Sequence, residues 1–325
     1  MMAYIIRRVL YAIPILVGVN VLTFVLFFVV NPPDDMARMN LGIKRVTPEA
    51  IQTWKAERGY DLPLLYNGQA QGLEQLTGTI FFQKSVKLFS FDFGRSDSGR
   101  DIGYDISQRM WPSLAIAGPV FLIGLLTTIG IALAVVLFRA TPIDLTVVVA
   151  AVAMMSISGL FYIIGGQWLV GKLLRLIPIS GYDTGWEAAK FLVLPVIIGV
   201  VGGLGSGIRV YRTLFLEEIH KDYVRTARAK GLSENAVLFR HVLRNAMIPI
   251  LTMVVAAIPL LFMGALVTES FFGIPGLGSY TIDAISRQDF AIVRSMVFLG
   301  SVLYILGLLL TDISYTLVDP RVRLS

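Results

Sequence analysis

Six stretches of at least 17 residues in this 325-residue chain contain no Asp, Glu, Lys or Arg: Val9–Val30, Ser113–Phe138, Leu145–Gly171, Phe191–Ile208, Asn245–Thr268 and Ser295–Thr311. An ionised side chain at the centre of a bilayer costs about 2.5–3.5 kcal/mol on insertion scales. Helices crossing the roughly 30 Å hydrocarbon core need about 20 apolar residues, and backbone in lipid must satisfy its own hydrogen bonds. The runs therefore predict an all-α polytopic membrane protein with six transmembrane helices, the last run extending past Asp312 to Leu317. A composition 55% hydrophobic and 15% charged, with mean hydropathy +0.72, overrides the expectation of two soluble domains from length alone.

Basic residues in the short connections set the orientation. With the N-terminus inside, segments 1–8, 139–144, 209–244 and 312–325 are cytoplasmic and hold 13 Lys and Arg in 64 residues, against 5 in 45 for the outer connections 172–190 and 269–294. The positive-inside rule then places both termini in the cytoplasm. The net charge of +6 reads as this asymmetry and not as a nucleic-acid surface. Arg7 and Arg8 precede the first run as they would a signal peptide, but the run has 22 apolar residues and Asn31-Pro32-Pro33 follows where small residues should mark cleavage. An uncleaved helix is expected.

Three parts follow: residues 1–30 as an N-terminal segment and first helix, 31–112 as an external loop subdomain, and 113–325 as a five-helix transmembrane core containing the loop 209–244. The external segment carries ten basic and ten acidic residues. Its length argues for structure, and Thr47-Pro48-Glu49-Ala50 predicts a helix start. The loop 209–244, with eight basic and four acidic residues, predicts two helices. One runs from about Leu216 to Lys230 and stops at Gly231 in a left-handed position; the other starts at Ser233 as N-cap and feeds the fifth span. The small residues Ala227, Ala229 and Gly231 would let a protein surface approach the backbone, whereas the bland alternative is a basic loop lying on anionic headgroups.

Several chemistries are excluded or unsupported. Cysteine is absent, removing disulfides and thiolate sites, and His220 and His241 lack a third ligand around them. No cofactor or metal site is expected in this chain. Gly166-Gln167-Trp168-Leu169-Val170-Gly171-Lys172 imitates a phosphate loop, but Leu173 stands where a magnesium-binding hydroxyl is needed. Gly203-Leu204-Gly205-Ser206-Gly207 imitates a dinucleotide loop without a preceding strand. Gly199, Gly203 and Gly207, spaced by four, form one helical face expected to pack a neighbouring helix of this chain or of a second subunit. No catalytic grouping is found. With few ionisable groups inside the runs, a secondary carrier has little to couple to, although a carrier or a membrane scaffold anchoring a cytoplasmic partner stays open at this point.

The loop Asp222-Tyr223-Val224-Arg225-Thr226-Ala227-Arg228-Ala229-Lys230-Gly231-Leu232-Ser233, followed by Arg240-His241-Val242-Leu243-Arg244-Asn245-Ala246, resembles the EAA loop of permease subunits in the dipeptide/oligopeptide/nickel branch of ABC importers. Ile5-Ile6-Arg7-Arg8, Phe91-Asp92-Phe93-Gly94-Arg95-Ser96, Phe271-Phe272-Gly273-Ile274-Pro275-Gly276-Leu277-Gly278 and Thr311 to Arg321 extend the likeness over nearly the whole chain. Arg225-Thr226-Ala227 stands where the wider superfamily has Glu-Ala-Ala, Gly231 matches its glycine, and Arg244 replaces its proline, departures usual for the peptide branch. The resemblance implies a type I importer fold in which Asp222 to Ser233 is a coupling helix docked in a groove of a cytoplasmic ATPase, with force passing through the Ala227–Gly231 face. It also implies a second homologous permease, two ATP-binding cassette subunits that hold ATP and Mg²⁺, an extracytoplasmic solute-binding protein, and alternating access. The long first external loop matches the first-permease type, and the loop is expected to receive the binding protein or gate the pathway. Peptide is the implied cargo; a di- or oligopeptide, a peptide antibiotic, a nickel chelate, glutathione or a sugar are alternatives that the apolar spans do not separate.

Overall fold

The computed structural model describes residues 2–42 and 46–318. Lys44 and Arg45 of the external segment, and the Asp319-Pro320-Arg321 end of the resemblance, lie outside the described residues. Among the described residues no β-strand forms, only an isolated antiparallel bridge between Arg95 and Asp101. We number the longer helices α1 (Met2–Phe24), α2 (Pro33–Leu41), α3 (Pro48–Arg58), α4 (Ile102–Leu137), α5 (Pro142–Ser156), α6 (Gly159–Gly166), α7 (Ala188–Ile219), α8 (Asp222–Ala229), α9 (Leu243–Ala257), α10 (Leu266–Phe272), α11 (Leu277–Arg287) and α12 (Phe290–Val318).

Among the described residues, five continuous helical stretches are long and apolar enough to cross a membrane: Ile6–Val30, Ile102–Leu137, Gly185–Ile219, Glu234–Met263 and Phe290–Ser314. The third charge-free run departs from a single straight span. It folds as α5 and a second segment, Gly159–Leu173, that meet at 88°. The break falls at Ile157 and Ser158, which adopt extended backbone. Ser156, Ser158 and Gly159 are weak helix formers that remain apolar enough to escape a charge count. Pro14, Pro112, Pro119, Pro195 and Pro249 lie inside helices, as lipid-embedded helices tolerate.

The chain divides into two compact units, Met1–Arg109 with Tyr280–Leu306, and Met110–Ser279 with Gly307–Ser325. Residues 31–109 thus group with the first helix and with 280–306, a division that differs from one drawn at the ends of the charge-free runs. In the first unit, Phe24 and Phe28 pack with Met36, Ile51, Trp54, Tyr60 and Ile80. Here α3 begins as its sequence requires: Pro48 occupies the first turn and the Thr47 hydroxyl accepts from the Ala50 N–H at 3.3 Å. Gly59, at φ +64°, ends it.

In the second unit, α7 runs beside α5 and meets α4 at two of its glycines. A Cβ on Gly199 would lie 2.7 Å from Val120 Cγ2, and one on Gly207 would lie 2.6 Å from Thr128 Cγ2, so these two glycines seat α7 directly on α4. Both pairs advance by eight residues in the same sense, which makes the helices parallel. Gly203, halfway along the expected face, has no atom within 4 Å of a Cβ position among the described residues. Gly205 does the work on the adjacent side, where a Cβ would come 2.6 Å from the Ala151 carbonyl oxygen of α5.

Candidate functional site

The expected first helix of the charged loop is shorter than the sequence suggested. Phe215 and Ile219 are buried one turn apart and keep α7 helical through Ile219, so Leu216–Ile219 belong to the transmembrane helix. Lys221 then turns to extended backbone, and α8 occupies Asp222–Ala229. After α8 the Gly231 N–H donates to the Arg228 carbonyl at 2.9 Å and the Leu232 N–H to the Ala227 carbonyl at 3.4 Å, with Gly231 at φ +79°. This paired arrangement closes the carbonyl end of a helix and favours glycine at its left-handed position. The Ser233 hydroxyl accepts from the Ala236 N–H at 3.4 Å and caps the helical lead-in, Glu234–Val242, to α9.

Helix α8 has two faces. Val224 and Ala227 point inward, buried among Ala132, Leu133 and Val136 of α4, Phe215 and Ile219 of α7, and Val237 and Leu238. Asp222, Arg225, Thr226 and Ala229 are exposed at the i, i+3, i+4, i+7 spacing of a single helical stripe, continued by exposed Lys230, Gly231 and Ser233. Ala227 is therefore small because the interior requires it, and the outward surface runs through Thr226 and Ala229 instead of an Ala227–Gly231 face.

Side chains from distant parts of the sequence hold α8 in place. Arg228 donates from Nε and a terminal nitrogen to the two oxygens of Glu234, at 2.7 and 3.2 Å, and Arg139 lies 3.8 Å from the same carboxylate. Nearby, Arg212 forks onto Asp144 at 2.8 and 2.9 Å, and the Ala140 N–H donates to that carboxylate. The Tyr223 hydroxyl donates to Glu218. Burial, with the Glu218 carboxylate, raises the Tyr223 phenol above its ordinary value, so it remains a donor. Bidentate pairs of this kind fix orientation as well as distance. Together they tie α8 to the short 139–144 connection and to the base of α7.

A second constellation lies at α10. Glu269 is fully buried; Oε1 accepts from the Ser113 hydroxyl at 2.8 Å and the Ala265 N–H at 3.0 Å, and Oε2 from the Ser279 N–H at 3.0 Å. Ser113 in turn accepts from the Leu277 N–H at 2.8 Å. Burial pushes the Glu269 carboxyl up, while these donors pull it toward the ionised form. A Cβ on Gly264 or Gly276 would come within 2.2 Å of the carboxylate oxygens, so the glycines of Gly273-Ile274-Pro275-Gly276-Leu277-Gly278 let the backbone wrap it. The sequence had placed Glu269 only at the edge of a span. A lone acid beside a glycine-rich turn was the available signal.

His220 contacts the Leu216 carbonyl oxygen through Nδ1 at 2.6 Å. Among the described residues no group of three or more His, Asp or Glu side chains is arranged to hold a metal ion. Gly166 and Gly171 of the phosphate-loop imitation lie against Ile198 and Ile179, and Gln167 donates to the Ile179 and Phe271 carbonyls at 3.1 and 3.0 Å. The segment is a packing element.

The model of the binding-protein-dependent transport system inner membrane component matches residues 127–324, which include α8 and the Glu269 turn, and the model of the N-terminal part of such membrane components matches 1–86. The chain belongs to this family. This permease is similar over 99% of its length, and 99% of theirs, to a putative peptide transport system permease protein of Brucella abortus (strain 2308) at 32% identity and to the dipeptide transport system permease protein of Escherichia coli (strain K12) at 29%. An oligopeptide transport system permease protein of Bacillus subtilis (strain 168) is 28% identical over 99% of this chain and 100% of its own. The permease is a multi-pass membrane component of an ABC importer, and its family is one of transport proteins, not catalysts.

Proposed function

We propose that this permease forms half of the translocation pathway of a peptide importer and that α8 is its coupling helix. The observation that carries the reading is the two-faced construction of α8: an exposed stripe of Asp222, Arg225, Thr226 and Ala229 on a helix whose other face is embedded in the core of the transmembrane helices. Such a helix converts a push on its outer face into displacement of α4, α7 and α9. The outer stripe docks in a groove of one of two cytoplasmic ATPases, which hold the ATP and Mg²⁺. A second, homologous permease supplies the other half of the pathway, and an extracytoplasmic binding protein delivers the solute. ATP binds the two conformations of the assembly with different affinity, and that difference supplies the work. Both termini and the loop 209–244 are cytoplasmic, in accord with the basic residues of the inner connections. Peptide cargo is supported by the names of the relatives at full-length similarity.

The test is ATP-driven uptake by the reconstituted importer. Gly231→Trp forces a bulky residue into a left-handed turn, at about 1–2 kcal/mol, and places an indole beside the docking stripe. ATP hydrolysis should separate from peptide uptake, or the ATPases should dissociate. Full transport by this variant, or chemical labelling of a Lys230→Cys variant from the outer side only, would overturn the coupling role.

A further inference from the structure

The first unit contains a polar cavity of about 580 Å³ between the Arg58–Arg109 part of the external segment and α11. This volume lies in the range of small-ligand sites, about 300–1,000 Å³. Most of its charges are already matched. Arg58 Nε donates to Asp97 Oδ1 at 2.9 Å. Arg100 donates to Asp105 Oδ2 at 2.6 Å, and the Tyr280 hydroxyl reaches the same oxygen at 3.2 Å. Asp289 accepts from the Asp97 and Ile292 N–H groups at 2.8 and 3.2 Å.

Three lining groups are left over. Arg109 stacks on the Tyr280 ring, 4.7 Å from its centroid, with no hydrogen bond or ion pair among the described residues. Arg287 and Asp283, one turn apart on α11 and both exposed, likewise have neither a hydrogen bond nor an ion pair among the described residues. A surface helix would ordinarily let an acid and a base four residues apart meet, yet here they stay separate along the wall of one cavity. The site therefore presents two free guanidinium groups, one free carboxylate and an aromatic wall.

We infer that this cavity is a binding site for a small zwitterion, a short peptide with free termini, whose carboxylate is held by Arg109 and Arg287 and whose ammonium is held by Asp283. Guanidinium forks suit a carboxylate, and with the Arg58–Asp97 and Arg100–Asp105 pairs formed and Asp289 held by backbone N–H groups, Arg109, Arg287 and Asp283 are the lining charges without a hydrogen-bond or ion-pair partner among the described residues. The inference rests on the peptide reading above, and it adds a station on the permease itself, separate from the binding protein.

The test uses the purified permease–ATPase complex in nanodiscs without the binding protein, with radiolabelled dialanine as probe. Saturable binding is expected, with Arg287→Gln and Asp283→Asn each weakening it about tenfold. N-acetyl-dialanine should bind wild type as weakly as dialanine binds Asp283→Asn, and Asp283→Asn should no longer distinguish the two probes. Dialanine amide should bind wild type more weakly than dialanine does, and an Arg109→Gln/Arg287→Gln double variant should no longer distinguish the two. Absence of binding, or variants that bind all three probes as wild type does, would overturn the site. A loss confined to affinity for the binding protein, with dialanine neither bound nor competing, would also overturn it and make the cavity a protein-docking surface. Peptide uptake by the complete wild-type importer is measured in parallel: if it occurs while the site fails, only this inference falls, and if no peptide is transported the underlying reading falls.

Discussion

At the scale of single residues, Glu269 shows how a buried charge is made tolerable. Both of its oxygens accept from donors, so neither position suits an amide NH₂. Glu269→Gln should therefore destabilise the turn by about 1–3 kcal/mol although the side chains have the same shape, because a donor would face a donor. A lower unfolding temperature of the detergent-purified permease checks it; an unchanged temperature would mean the carboxyl is protonated in place. Gly231 was legible in the sequence, since a glycine ending a charged helical stretch has few other uses. Ser113 and Glu269, 156 residues apart, were not, because no spacing rule joins them. The Arg212–Asp144 fork, across 68 residues, was hidden for the same reason.

Among the elements, the seam between α4 and α7 offers a sharp contrast. Gly207→Leu would drive a side chain into Thr128 and should cost about 1–3 kcal/mol, as overpacking does. Gly203→Ala, where space is open within the chain, should leave the thermal midpoint of the isolated permease unchanged or raise it, since alanine favours helix by about 1 kcal/mol. Equal effects at the two positions would refute the seam. The periodic glycines announced a packing face, but periodicity alone could not separate 199 and 207, which touch α4, from 203, which does not. The start of α8 at Asp222 is set by packing for a related reason. Composition changes at Leu216, whereas the helix ends where burial of Ile219 ends. The break between α5 and α6 escaped notice because serine and glycine interrupt a helix without adding charge.

For the whole molecule, the charge-free runs carried most of the fold, since excluding ionised groups from lipid is the strongest constraint acting on the chain. The grouping of residues 280–306 with residues 1–109 was illegible, being a matter of long-range packing. That unit has its own pH dependence. Burial, aided by the nearby Arg294 charge, lowers the Lys84 ammonium from 10.5 to about 8. Between those values the unfolded chain binds more protons than the folded one, so stability should rise with pH from about 8 to 10.5. Below pH 8 the folded state bears the full cost of the buried charge. Thermal unfolding followed across pH 7–10.5 should show this slope, and Lys84→Met should remove it while raising the midpoint at pH 7. A wild-type midpoint that is flat or falling over this window, with no difference in slope from Lys84→Met, would contradict it.

The contact of Gly199 with Val120 and of Gly207 with Thr128 leaves no room for a methyl group between two parallel rods. Rods so closely meshed cannot slide or tilt independently. Any motion delivered at the ends where Phe215 and Ile219 meet Val224 must reach the opposite ends with both helices in step, and a loosened seam would dissipate the stroke before it arrived.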